Sequence, residues 1–166
     1  MRKPTVAIAL ATALTWVVAA PASATDTQVS GVQLPGATGT ACEDASASFT
    51  MTGGLVGCWY EDTETVTKEK TQAGTVLIHL SGTEHFSGCL DVDGDGQCAA
   101  GDPHGTLSFA FTFTGQFDAI TESEIRGRCH HPIVSGTEDF AGATGVLNFK
   151  DDVANGTSPY KGHVKL

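Results

Sequence analysis

The residues with the clearest chemistry fall in one short stretch, where Asp91, Asp93 and Asp95 alternate with Val92 and Gly94 and are followed by Gly96, Gln97 and, further on, Asp102. With Asp91 as position one, carboxylates stand at one, three and five. Gly96 is the turn at six, Gln97 offers its carbonyl at seven, and Asp102 stands at twelve. This is the spacing with which a loop wraps oxygen ligands around Ca2+. Three carboxylates this close repel one another unless a cation sits among them. Asp102 stands where the helix-flanked form of such a loop carries a bidentate Glu, and its shorter side chain would hold the ion less tightly. No helical period flanks the stretch, so a helix–loop–helix pair is not expected. The plainer alternative is a solvated acidic hairpin tip.

Cys89 and Cys98 bracket the aspartates, and a bridge between them would close the loop before any ion arrives. The chain has five cysteines, the others being Cys42, Cys58 and Cys129. At most two bridges can form within one chain, and Cys42, Cys58 and Cys129 compete for the second. No pair has Cys-x-x-Cys spacing, which argues against zinc and against thioredoxin-type chemistry.

Other reactive side chains give weaker signals. Cys129-His130-His131 invites a metal or nucleophile reading, but neighbouring residues in a strand point to opposite faces. Pro132 could bend the strand, yet no third ligand follows by spacing, so a structural role is the better reading. Glu61, Glu64 and Glu84 could supply an acid and a base, although strand surfaces carry such residues routinely. Asn155-Gly156-Thr157 matches a glycosylation sequon and reads as a loop by chance. There is no phosphate-binding loop and no His-Glu-x-x-His motif. No catalytic residue and no ligand-binding residue is assigned.

The elements that must hold these residues are strands. The run 106–117 places Leu107, Phe109, Phe111, Phe113 and Phe117 on one side and threonine, serine and alanine on the other. Alternation of this length marks a sheet with one buried face. The phenylalanine stripe reads as core packing before it reads as a ligand wall. Further strands are expected around Phe49 and Met51 and over 55–66, 75–80, 84–90, 121–133, 146–149 and 160–166. Ser81-Gly82-Thr83 reads as a turn between two of them. About eight strands without a helical period predict a sandwich or a closed barrel.

Ahead of the strands, Arg2 and Lys3 precede an apolar run over 6–20 and an Ala22-Ser23-Ala24 ending, the pattern of a secretory signal peptide over 1–24. The expected division is then a flexible lead-in over 25–47, rich in small residues, and a β-barrel domain over 48–166. Loss of the leader takes the formal charge from −10 to −12. So acidic a chain is a poor partner for nucleic acid or anionic lipid. A secreted, extracellular location suits the disulfides.

The stretch 134–145, Val-Ser-Gly-Thr-Glu-Asp-Phe-Ala-Gly-Ala-Thr-Gly, is read as the tight corner where the sheet closes. Three glycines there can take positive φ, and Phe140 would plug the end of the core. The stretch resembles the Gly-Gly-Thr-Gly-x-Phe-x-x-Ala-x-Gly signature of plant dirigent proteins and allene oxide cyclases. Gly136, Thr137, Phe140, Ala143 and Gly145 match, while Ser135 and Glu138 replace two of the family's glycines. Residues 160–166 are also similar to that family's last strand. The whole is most like bacterial secreted proteins with an allene oxide cyclase-like barrel. The resemblance implies an all-β, eight-stranded antiparallel β-barrel with a central cavity, assembly into dimers or trimers, and a small apolar molecule as partner. None of the family's catalytic residues maps onto this chain. The expectation is a calcium-stabilised binding barrel. The alternatives are an isomerase or cyclase acting on a lipid-derived or phenolic substrate, or a purely structural extracellular module.

Overall fold

The computed structural model describes residues 25–166. The leader expected at 1–24 lies outside them. Eight strands follow one another: β1 Asp26–Pro35, β2 Phe49–Gly53, β3 Leu55–Gln72, β4 Thr75–Leu90, β5 His104–Asp118, β6 Glu124–Gly136, β7 Thr144–Lys150 and β8 Ser158–Lys165. Each pairs antiparallel with its neighbour in sequence, and β8 pairs back onto β1, so the sheet closes in a ring. Closure leaves most strand edges satisfied.

The wall is uneven in height. β3, β4 and β5 run for 18, 16 and 15 residues, whereas β7 and β8 have 7 and 8. The β3–β4 hairpin turns at Ala73 and Gly74, both at positive φ, the turn whose twist suits a two-residue hairpin. β2 covers β3 only over Gly57–Trp59, so the outer edge of β3 beyond that point has no strand beside it.

One end of the ring is packed solid. Met51, Leu55, Trp59, Phe86, Leu107, Phe109, Phe140, Leu147 and Val164 are all fully buried in a single cluster. Trp59 stacks on Phe109 with ring centroids 4.8 Å apart. The glycine-rich corner folds as a short 3-10 turn, Glu138–Phe140, that drops Phe140 onto this cluster. Tyr160 adds a polar tie, its hydroxyl accepting from the Leu55 amide at 2.8 Å and donating to the Thr52 carbonyl at 3.1 Å.

Three expectations change. The lead-in over 25–47 is not loose throughout, because it contains β1, paired with both β2 and β8. Its inward positions include Val29, Gly31 and Gln33, so the apolar alternation that reveals a strand is missing. Gly31 lies against the Tyr160 ring, where a Cβ would have no room. Residues 36–48 are a loop held by the Cys42–Cys58 bridge and by Thr38 and Gly36 contacts to Thr50. Ser81-Gly82-Thr83 is not a turn, since β4 runs straight through it. Gly82 is glycine because the Thr63 carbonyl and the Phe111 ring press on its Cα. In the corner, Gly142 and Gly145 take positive φ, but Gly136 does not and Glu138 does, at 53°.

Candidate functional site

The end of the ring opposite Phe140 is hollow. A cavity of about 400 Å³ opens there, within the usual size of small-molecule sites. Its walls come from the upper halves of the long strands and from the loop between β7 and β8. The phenylalanine stripe of β5 divides between the two ends: Leu107 and Phe109 are core, whereas Phe111 and Phe113 line the cavity. Phe49 and Phe149 supply further aromatic wall.

At the junction of core and cavity stand Glu84 and His131, both buried. Period two explains their placement: Glu84 shares the inward face of β4 with Leu80 and Phe86, and His131 shares that of β6 with Cys129. Glu84 Oε2 accepts from Trp59 Nε1 at 3.0 Å and lies 2.6 Å from His131 Nε2. One proton bridges the last pair. The imidazole is boxed by aromatic rings, with Trp59 and Phe149 edge-on and Phe111 stacked. Its Nδ1 has no hydrogen-bond partner, although His131 lines the cavity. A buried polar atom without a partner is costly, so it marks a place to look for a ligand.

Cys129 Sγ lies 3.5 Å from the same Nε2 that faces Glu84. The thiol therefore competes with the carboxylate for one nitrogen instead of completing a relay. Burial, followed by the charges of Glu84 and Asp151, pushes its pKa well up, so it stays a thiol and is a poor nucleophile. His130 faces outward and pairs with Asn148 at 2.8 Å. The two histidines thus point apart.

The rim is acidic. Glu61, Glu64, Glu124, Asp151 and Asp152 line the cavity with Glu84, and among the described residues no lysine or arginine does. Burial, then a hydrogen bond and charge from Asp151, raises the Glu124 carboxyl to about 7. Glu124 Oε1 is buried and unpartnered. Glu61 is raised by desolvation, against a Ser48 hydrogen bond, and further by Glu84 and Glu64.

The aspartate loop lies at the packed end, between β4 and β5. Cys89 and Cys98 are bonded across it. Asp91, Asp93 and Asp95 bring carboxylate oxygens within 4.8 Å of one another. Asp91 also folds the loop by accepting from the amides of Gly94 and Gly96, each at 2.7 Å. Desolvation works against ionisation of Asp91, yet those amides and its neighbours hold it below its usual range. Asp93 is raised: the Asp95 amide favours its charge, but desolvation and the charges of Asp95 and Asp102 outweigh it. Asp102 stands outside the trio, its oxygens capping the amides of Val92 and Ala99. The Gln97 amide donates to Asp95 at 2.8 Å.

Sequence reasoning weighed the phenylalanine stripe, Glu84 and His131, set them aside and assigned no ligand-binding residue. The signal was there in the inward face of β4, where an acid sits between Leu80 and Phe86. No family model, curated protein or solved structure matches this chain.

Proposed function

We propose that this protein is a secreted β-barrel that holds a small molecule with an apolar body in the open end of its ring. The observation that carries this reading is the 400 Å³ cavity walled by phenylalanines, with two buried polar atoms, His131 Nδ1 and Glu124 Oε1, left without partners. The two disulfides support export. Strand count, the up-and-down strand order and the buried Phe140 support kinship with the allene oxide cyclase and dirigent barrels. Native mass spectrometry of protein isolated from its producing host tests the proposal. The wild type should carry a retained molecule, and Leu80→Trp, which fills the cavity, should not. Equal spectra for the two would overturn it.

We also propose that the aspartate loop takes Ca2+, which would stabilise the packed end. The clustering of three carboxylates favours this reading, because a cation would relieve the repulsion that raises Asp93. With calcium at about a hundredfold excess over Kd, Tm should rise by about 9 °C. The rise should vanish with chelator and in Asp93→Ala. An unchanged Tm in the wild type would reduce the loop to an acidic tip.

The Glu84–His131 pair favours a second reading, a proton-transfer isomerase. A carboxylate holding one imidazole nitrogen leaves the other as the base, here Nδ1. A carbonyl compound recovered from the cavity would then take up deuterium from heavy water with the wild type and not with His131→Gln. Retention of its hydrogen with both proteins leaves binding as the activity.

A further inference from the structure

Resting on the cavity reading above, we infer that the molecule it holds is an organic cation, an ammonium group on an aromatic or aliphatic body. The argument begins with the unpartnered atoms. Glu84 engages Nε2 of His131 and, with the imidazole neutral and its proton on that side, Nδ1 presents a lone pair. Glu124 Oε1 is likewise an acceptor. Two buried acceptors call for a ligand that donates. A protonated amine has three donors and no acceptor, and so can serve both and turn its third N–H to a rim carboxylate.

The electrostatics point the same way. Six carboxylates line the cavity, and among the described residues no lysine or arginine opposes them. Their mutual effect is visible at three groups. Glu124 is held up by Asp151, Glu61 by Glu84 and Glu64, and Cys129 by Glu84 and Asp151, each after burial itself. A carboxylate or phosphate ligand would add charge of the same sign to that field, whereas an ammonium would discharge it. Phe49, Phe111, Phe113 and Phe149 add aromatic faces, which attract cations through their quadrupoles. The basic residues of β6–β8 lie elsewhere: Arg126, Arg128, Lys150, Lys161 and Lys165 are all exposed and alternate with inward residues. On β6–β8 the basic side chains therefore stand outside the wall, away from the acidic cavity.

Calorimetric titration of the purified chain with three probes that share one body tests this: phenethylamine, 2-phenylethanol and phenylacetate. The amine should bind about tenfold tighter than the alcohol, and the acid should show no heat of binding. Glu124→Gln should erase most of the amine's advantage over the alcohol. Glu84→Gln should do the same, and Glu124→Gln keeps the test standing should the Glu84 variant fail to fold. Alcohol binding equal to or tighter than the amine's would overturn the cation inference and leave the binding reading intact. Binding of the acid would overturn it in the same way. If none of the three binds, both readings fall.

Discussion

The two ends of this ring obey opposite rules. At the packed end nearly every buried group has a partner: the Tyr160 hydroxyl, the amides taken by Asp91 and the rings around Trp59 are all accounted for. At the open end like charges crowd, and two buried acceptors stand alone. The same strands build both, so the difference lies in which inward residues each half carries. Close packing is concentrated at one end, and the other keeps a cavity that folding alone would not favour.

The contrast can be broken by mutation. The largest effect should come from Phe140→Ala, which empties the plug and should cost about 4 kcal/mol in urea unfolding. Phe113→Ala, on the cavity wall, should cost only about 1 kcal/mol because that ring is already half-buried. Equal losses would mean that the open end is core as well. Glu84→Leu should follow at about 2–3 kcal/mol, since it strips the acceptor from the Trp59 indole and from His131 Nε2.

Acidity sharpens the comparison. Glu124 titrates at about 7 in the folded chain against an ordinary 4.5. The folded state holds a proton that the unfolded chain gives up sooner. This contribution is whole below about pH 4.5 and is lost as pH rises through 7. After allowance for solvent screening, unfolding free energy should fall by about 1 kcal/mol between pH 5 and 8, and Glu124→Gln should flatten that slope. A slope unchanged in the variant would place the titration elsewhere. The smallest effect belongs to the corner. Glu138 sits at φ 53°, so Glu138→Gly should stabilise by about half to one kcal/mol, measured as a rise in the urea midpoint.

The β5 stripe and the buried Phe140 made the ring legible, because long alternation and a glycine-rich bend are local signals. β1 was hidden because its inward positions are Val29, Gly31 and Gln33, of which only the first looks apolar. Gly82 imitated a turn while serving a close approach between strands. The cavity pair was illegible for another reason. Glu84 and His131 are 47 residues apart in sequence, and only the closure of β4 through β6 brings them to one spot. The aspartate trio could be read because its members are neighbours, whereas Asp102, further along, turns to cap backbone amides.

The bare outer edge of β3 has a consequence for life in a crowded medium. Past Glu61, whose amide still donates to Ser48 Oγ, its amides and carbonyls face water on one side, a template onto which a stray strand could zip. That same length carries Asp62, Glu64, Lys68, Glu69 and Lys70, all exposed. A second copy's strand laid alongside would strip water from these closely spaced charges, so they act as guards against fibrous aggregation.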